Sequence, residues 1–95
     1  MLKPKVDVKE FEKYGFKPCK GVKKELQCYY LCVSRGCKML FVSPVIFDVN
    51  EWRDDDIRIH EKANCRYRDN RTYLDIIYEL IKADMLESTF NMSKL

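Results

Sequence analysis

Five cysteines and one histidine are the residues of this sequence whose chemistry could define a site: Cys19, Cys28, Cys32, Cys37, His60 and Cys65. Thiolates and imidazoles are the ligands that zinc prefers in proteins, and paired ligands usually stand two to four residues apart. One interpretation of the chain is therefore a zinc-stabilised domain with four thiolate ligands, Cys28, Cys32, Cys37 and Cys65. His60 and Cys19 are further donors in that interpretation.

The spacing of the cysteines favours a different interpretation, in which they are reduced core residues. Cys28 and Cys32 are four positions apart, so on a strand their side chains stand roughly 13 Å apart along one face and cannot share an ion. Cysteine is also among the residue types most often buried. A nucleophilic cysteine would need an imidazole beside it, and nothing in the sequence places His60 there. We therefore predict no metal, no cofactor and no catalytic residue.

Length and hydropathy predict one small cytoplasmic domain. The 95 residues suffice for a single core, which we place in residues 1–87, with a loose tail at 88–95. Charged residues interrupt every apolar stretch, so we expect no membrane segment, and the first residues lack the apolar region of a secretory signal. The cytoplasm keeps thiols reduced, which agrees with the odd number of cysteines.

Positive charge is concentrated in two regions of the chain. The net charge is +3, yet the first 24 residues hold eight lysines against three acidic residues. A second group of cations, Arg66, Arg68 and Arg71, lies near aromatic residues. Cations for phosphates and aromatic rings for bases are typical of nucleic-acid binding, which is an alternative function for this protein. Interleaved acidic residues and the lack of a known nucleic-acid motif count against it.

The first half of the sequence predicts a short helix and a hairpin. The helix covers residues 8–14, with Asp7 as its N-cap and Gly15 as its terminator. The hairpin joins strands at 26–33 and 38–42 through a turn at 35–36, which sets Tyr30 opposite Phe41 and Cys32 opposite Met39. Both faces of this hairpin are apolar, so it belongs at the centre of a sheet. Helices cover one face, and the N-terminal segment, a partner or a second copy covers the other.

The second half predicts two more short strands and a long helix. We expect strands at residues 45–47 and around Ile57 and Ile59, the second at a sheet edge. The helix covers residues 71–86, with an apolar stripe at Leu74, Ile77, Tyr78, Ile81 and Met85. The predicted fold class is α+β: an antiparallel sheet of three to five strands, a C-terminal helix packed across it and a short N-terminal helix.

Both ends of the chain carry a pattern that is seen elsewhere. Residues 12–17, Glu-Lys-Tyr-Gly-Phe-Lys, and the helix within residues 72–87 resemble small uncharacterised proteins of phages and mobile elements in Gram-positive bacteria. Asp84 stands where that pattern often has glycine, and the cysteines are not part of it. The resemblance implies an accessory protein that acts by binding a host or defence protein.

These observations predict a non-enzymatic protein-interaction module that inhibits a host or defence protein. The apolar hairpin, the mixed-charge region after it and the missing catalytic set are what motivate this prediction. The predicted partner-binding residues lie in that mixed-charge region and are Trp52, Arg53, Arg58 and His60.

Overall fold

An antiparallel sheet and one α-helix make up the structure, a computed structural model that describes residues 2–33, 37–53, 55–59 and 72–88. The strands are β1 (Leu2–Pro4), β2 (Lys17–Pro18), β3 (Tyr29–Val33), β4 (Lys38–Ser43), β5 (Ile46–Glu51) and β6 (Leu86–Ser88). The helix is α1 (Tyr73–Lys82), and two 3₁₀ helices occupy Val8–Tyr14 and Lys24–Leu26. The α+β class is confirmed. The described residues form six strands, in the order β2-β3-β4-β5-β1-β6, which exceeds the predicted three to five.

The centre of the sheet is the hairpin of β3 and β4, in the register that the sequence predicts. Tyr30 pairs with Phe41 and Cys32 pairs with Met39. Aromatic and branched residues dominate both strands, as pleated and buried positions favour. β3 begins later than the predicted residue 26, because Leu26 belongs to a 3₁₀ helix and Gln27 has a positive φ of 48°. The predicted turn at 35–36 lies outside the described residues.

One face of the sheet is covered by helices and forms the larger core, here called the helix-side core. Alternate residues of β3 and β4, such as Leu31 and Leu40, point to this face and are fully buried. Phe11 and Phe16 pack edge to face above them, with ring centroids 5.4 Å apart. The core consists of Val8, Phe11, Phe16, Leu31, Val33, Leu40, Val42, Phe47, Ile76, Ile77, Leu80, Met85 and Leu86.

The opposite face carries a smaller core, here called the loop-side core. Its buried members are Cys19, Tyr30, Cys32, Met39, Phe41 and Ile59, and Val22, Cys28 and Trp52 pack against them. The segments after β2 and after β5 supply the cover, and the backbone N–H of Lys20 ties them together by donating to the carbonyl of Arg58 at 2.7 Å. Part of the second face of the hairpin is therefore covered by loops of the same chain.

The predicted N-terminal helix is a 3₁₀ helix, which corrects the helix type but keeps its bounds, Val8–Tyr14. Asp7 caps it by accepting a hydrogen bond from the N–H of Lys9, and Gly15 ends it at φ 95°. Seven residues between an N-cap and a left-handed glycine allow two short turns, and only Val8 and Phe11 are buried. A 3₁₀ run of seven residues is longer than usual for this tighter helix.

The C-terminal helix is shorter than predicted, because strong signals stop it at both ends. Thr72 and Asp75 form a capping box at the start, with reciprocal side-chain and backbone hydrogen bonds. After Lys82 the chain turns through Asp84, whose φ is 63°. The N–H groups of Asp84 and Met85 donate to the carbonyls of Ile81 and Leu80, which is a Schellman motif. Residues 86–88, predicted as helix end and tail, form β6 instead.

The edge strand predicted around Ile57 and Ile59 is absent: residues 55–59 form a succession of turns. Ile59 is buried in the loop-side core, whereas Ile57 is 84% exposed. The alternation of apolar and charged residues there does not indicate a strand, because only one of the two isoleucines reaches the core. None of the helices in the described ranges has the length and hydrophobicity to span a bilayer.

Candidate functional site

Cys19 and Cys28 form a thiol pair at the edge of the sheet. Their Sγ atoms are 3.0 Å apart, and the thiol of Cys19 donates to the sulfur of Cys28. Both cysteines are free; Cys19 is buried and Cys28 is partly exposed. The pair therefore has one shielded sulfur and one sulfur that faces the solvent.

The pairing of β2 with β3 brings the two thiols together. Lys17 lies opposite Tyr30 and Pro18 opposite Tyr29, so the next position of the ladder sets Cys19 opposite Cys28. The N–H of Cys19 donates to the carbonyl of Cys28 at 2.8 Å, which extends the ladder to this pair. Directly opposed residues of antiparallel strands have Cβ atoms about 4.5–5.5 Å apart. The thiol contact thus follows from backbone geometry.

The two thiols differ in acidity because they share one hydrogen bond. Donation from Cys19 lowers the pKa of Cys28 to about 7, and the guanidinium of Arg58 adds to this effect against the opposing influence of burial. The same hydrogen bond and burial raise the pKa of Cys19. The pair therefore loses its first proton as a unit, with the negative charge resting on Cys28.

Arg58 supplies positive charge near the thiol pair. Its guanidinium lies 3.7 Å from the ring centroid of Phe41 and donates two hydrogen bonds to the carboxylate of Asp56, at 2.8 and 3.0 Å. Asp56 also accepts from the backbone N–H of Arg58. These contacts hold the cation over an aromatic ring, and they lower the pKa of Asp56.

An open cleft of about 470 Å³ adjoins the two thiols. Cys19 and Cys28 form part of its wall, and two lysines and one glutamate supply its charges. The lining residues are Lys9, Glu12, Pro18, Cys19, Val22, Lys23, Gln27, Cys28 and Tyr29. A small molecule that carries a reactive sulfur could therefore reach the partly exposed thiol from this side.

The predicted partner-binding residues occupy different environments. Trp52 is half-buried against the loop-side core, and Arg58 is engaged with Phe41 and Asp56. Arg53 is exposed and lies 3.5 Å from a carboxylate oxygen of Asp55. His60 lies outside the described residues. The structure thus places Trp52 and Arg58 in structural contacts and leaves Arg53 on the surface.

The described part of the zinc interpretation does not converge. Cys32 is fully buried in the loop-side core, while Cys37 is exposed where β4 begins. Among the described residues, no group of three or more histidine, cysteine, aspartate or glutamate side chains could hold a metal ion. Cys65 lies outside those residues, and so do the predicted nucleic-acid ligands Arg66, Arg68 and Arg71. Nucleic-acid binding stays a prediction.

The outward face of α1 is the second feature of the surface. Leu74, Tyr78 and Ile81 are 61%, 64% and 45% exposed, at helix spacing i, i+4 and i+7. These three residues are here called the outer stripe. The helix packs on the sheet through Ile76, Ile77 and Leu80 instead. The predicted core stripe therefore contained three residues that the structure leaves exposed.

Sequence reasoning missed the thiol pair. Cys19 follows Pro18 and Cys28 precedes Tyr29, so the two cysteines are symmetric about the loop that joins β2 and β3. A strand of only two residues gives no alternation to detect, and a proline within it argues against strand. The intervening loop was too long to indicate a hairpin. The pair became visible only through the pairing with β3.

A comparison of this chain with models of known protein families, with curated proteins and with solved structures found no match.

Proposed function

We propose that this protein is a non-enzymatic interaction module that inserts the outer stripe of α1 into an apolar groove of a partner protein. The observation that carries the proposal is the exposure of Leu74, Tyr78 and Ile81 on a helix whose other face is buried. Anchors at i, i+4 and i+7 are the usual pattern of a helix that docks into a groove.

The helix is well suited to this task because it is held rigidly before binding. A capping box fixes its first turn and a Schellman motif fixes its last. Ile76 and Leu80 are fully buried in the helix-side core. A preformed helix loses little conformational entropy on association, so more of the contact energy appears as affinity.

A groove that accepts the outer stripe must be concave, whereas the helix itself is convex. The partner is therefore more readily a different protein than a second copy of this chain. A stable dimer buries about 800 Å² on each partner, more than three side chains of one convex helix supply. A concave groove adds contacts around the flanks of the helix, beyond the three residues of the outer stripe. The resemblance to phage and mobile-element proteins suggests a host or defence protein as the partner, with inhibition as the result.

Glutamine substitution of the outer stripe tests the proposal, because glutamine keeps helix propensity while removing apolar area. The variant L74Q/Y78Q/I81Q is compared with the wild type for binding to a purified partner, identified beforehand by capture from the host. We expect binding to weaken at least about tenfold, as for a truncated hot spot. Circular dichroism and melting confirm that the helix remains folded.

The matched control is V45Q/I57Q, which removes two apolar side chains that are 75% and 84% exposed outside α1. This variant should bind the partner as the wild type does. Equal binding by the stripe variant and the wild type would contradict the proposal. A wild-type dimer in sedimentation, together with a monomeric stripe variant, would also contradict the proposal. The outer stripe would then bind a second copy of this chain.

A further inference from the structure

We propose that Cys19 and Cys28 are a redox-active dithiol that exchanges with small anionic disulfides entering the adjacent cleft. The product is a reversible intramolecular disulfide between β2 and β3. This reactivity is separate from the outer stripe and does not depend on the proposed function.

Geometry is the first support for this reactivity. A disulfide requires the two sulfur atoms to approach to about 2.05 Å and the Cα atoms to lie about 4.4–6.8 Å apart. The Sγ atoms are already 3.0 Å apart, on residues that face each other across an antiparallel ladder. Closing the bond needs only a small side-chain rotation, with no rearrangement of the sheet.

The different surroundings of the two thiols assign their roles. Cys28 is partly exposed, accepts the shared hydrogen bond and lies within the field of Arg58, so it is the thiolate that attacks first. Cys19 is buried and holds the proton. It attacks second, because a small disulfide meets Cys28 before it can reach Cys19.

The reaction is a pair of thiol–disulfide exchanges. The thiolate of Cys28 attacks one sulfur of the small disulfide, forms a mixed disulfide and releases one small thiolate. Cys19 then gives up its proton to the solvent and attacks the Cys28 sulfur, which releases the second small thiolate. Two electrons pass from the protein dithiol to the small disulfide, which leaves as two thiols. Excess small thiol reverses both steps.

Charge in the cleft indicates which disulfides react best. Lys9 and Lys23 line the cleft against a single carboxylate, Glu12. The net positive charge favours a disulfide that carries carboxylates, such as oxidised glutathione. A neutral disulfide of similar reactivity, such as bis(2-hydroxyethyl) disulfide, gains nothing from these lysines.

Incubation of the wild-type protein with oxidised glutathione tests the proposal directly. We expect intact mass to fall by two hydrogens, and digestion without reductant to yield one peptide pair joined through Cys19 and Cys28. The other cysteines provide the internal control, because Cys37 is exposed and Cys32 is fully buried. Glutathione attached only to Cys37 or Cys65, with Cys19 and Cys28 still reduced, would overturn the proposal.

Serine variants in a C37S/C65S background separate the two roles. C19S should accumulate a stable glutathione adduct on Cys28, whereas C28S should react at least about tenfold more slowly, since its remaining edge thiol is buried. Equal rates for both variants would contradict the assigned order of attack. A melting curve for each variant shows whether it is folded. If a variant is unfolded, the disulfide mapping of the wild-type protein still tests the proposal.

The double variant K9Q/K23Q tests the role of the cleft. Its rate with oxidised glutathione should fall several-fold, and the rate of the wild type should fall similarly at high salt. The rate with bis(2-hydroxyethyl) disulfide should not change. Equal rates of the wild type and the double variant with both reagents would exclude the cleft as the entry site for anionic disulfides.

Discussion

Arg58 is a charged residue whose side chain has a structural role. Its guanidinium lies 3.7 Å from the ring centroid of Phe41 and donates two hydrogen bonds to the carboxylate of Asp56. Arginine can cover apolar surface in this way because its planar head is weakly hydrated and stacks on rings. Replacing it with an acidic residue would expose the loop-side core, so charge reversal at Arg58 cannot isolate a contact with a partner. Arg53 can be reversed without that complication.

The ion pair of Asp56 and Arg58 makes stability depend on pH. The pKa of Asp56 lies below its ordinary value of 3.8, chiefly because Arg58 donates to it. A carboxyl group whose pKa is lowered by folding stabilises the protein fully when the pH is above its pKa in the unfolded state. This stabilisation is lost as the pH falls through its pKa in the folded state. Asp56→Asn should therefore cost about 1 kcal/mol at neutral pH, discounted because Arg58 is partly exposed.

Urea denaturation of both proteins at neutral pH and at about pH 2 measures this effect. The gap in unfolding free energy should shrink as the pH is lowered, because the wild-type carboxyl takes up a proton and loses its charge. Asp55→Asn is the control, since Asp55 is exposed and its pair with Arg53 is long. A gap that persists unchanged in acid would mean that Asp56 acts through something other than its charge.

At the scale of elements, α1 is notable for having apolar residues on both faces. Ile76, Ile77 and Leu80 pack on the sheet, while the outer stripe faces the solvent. A periodicity of apolar positions cannot say which of two apolar faces is inside. Tertiary packing decides this, because Ile76, Ile77 and Leu80 belong to the helix-side core. Asp84 takes the left-handed conformation that glycine adopts more readily.

Two leucine-to-alanine substitutions in α1 distinguish its faces. Leu80→Ala removes a fully buried side chain and should cost about 2–5 kcal/mol in unfolding free energy. Leu74→Ala makes the same chemical change at a position that is largely exposed, and should cost less than about 0.5 kcal/mol. Alanine favours helix at both sites, so propensity does not confuse the comparison. Equal costs in urea denaturation would show that both faces are buried in solution.

For the whole molecule, the sheet is completed by strands near both ends of the described chain. β1 lies between β5 and β6, so a segment from the start of the sequence pairs with one from the end. The backbone N–H of Lys5 also donates to the carbonyl of Met85, and the side chain of Lys5 pairs with Asp84. This closure joins positions that are about as far apart in sequence as the chain allows. Folding therefore includes contacts of high loop-closure cost.

Removal of residues 1–5 tests this closure. The deletion takes away the only strand that pairs with β6 in the described chain and uncovers the edge of β5. We expect a large shift of the urea midpoint to lower concentration, with a less cooperative transition. Deletion of residues 89–95, predicted as part of a loose tail, is the matched control and should leave the midpoint unchanged. Similar midpoints for both deletions would show that β1 contributes little.

The central hairpin and the bounds of the first helix could be predicted because local patterns specify them. Branched and aromatic residues flanking the predicted turn set the register of β3 and β4, and Asp7 and Gly15 mark both ends of the first helix. β1 and β6 could not be predicted, since three residues show no periodicity. Their strand conformation comes from pairing with partners that are distant in sequence.

Amino-acid order alone specified an α+β chain with a two-faced hairpin, since residue type and spacing act over a few neighbouring positions. Which face of α1 is buried, and what covers the second face of the hairpin, depended on the tertiary structure. The thiol pair is the clearest case, because Cys19 and Cys28 meet only where β2 joins β3. Local patterns determine conformation, but contacts across loops depend on how the whole sheet closes.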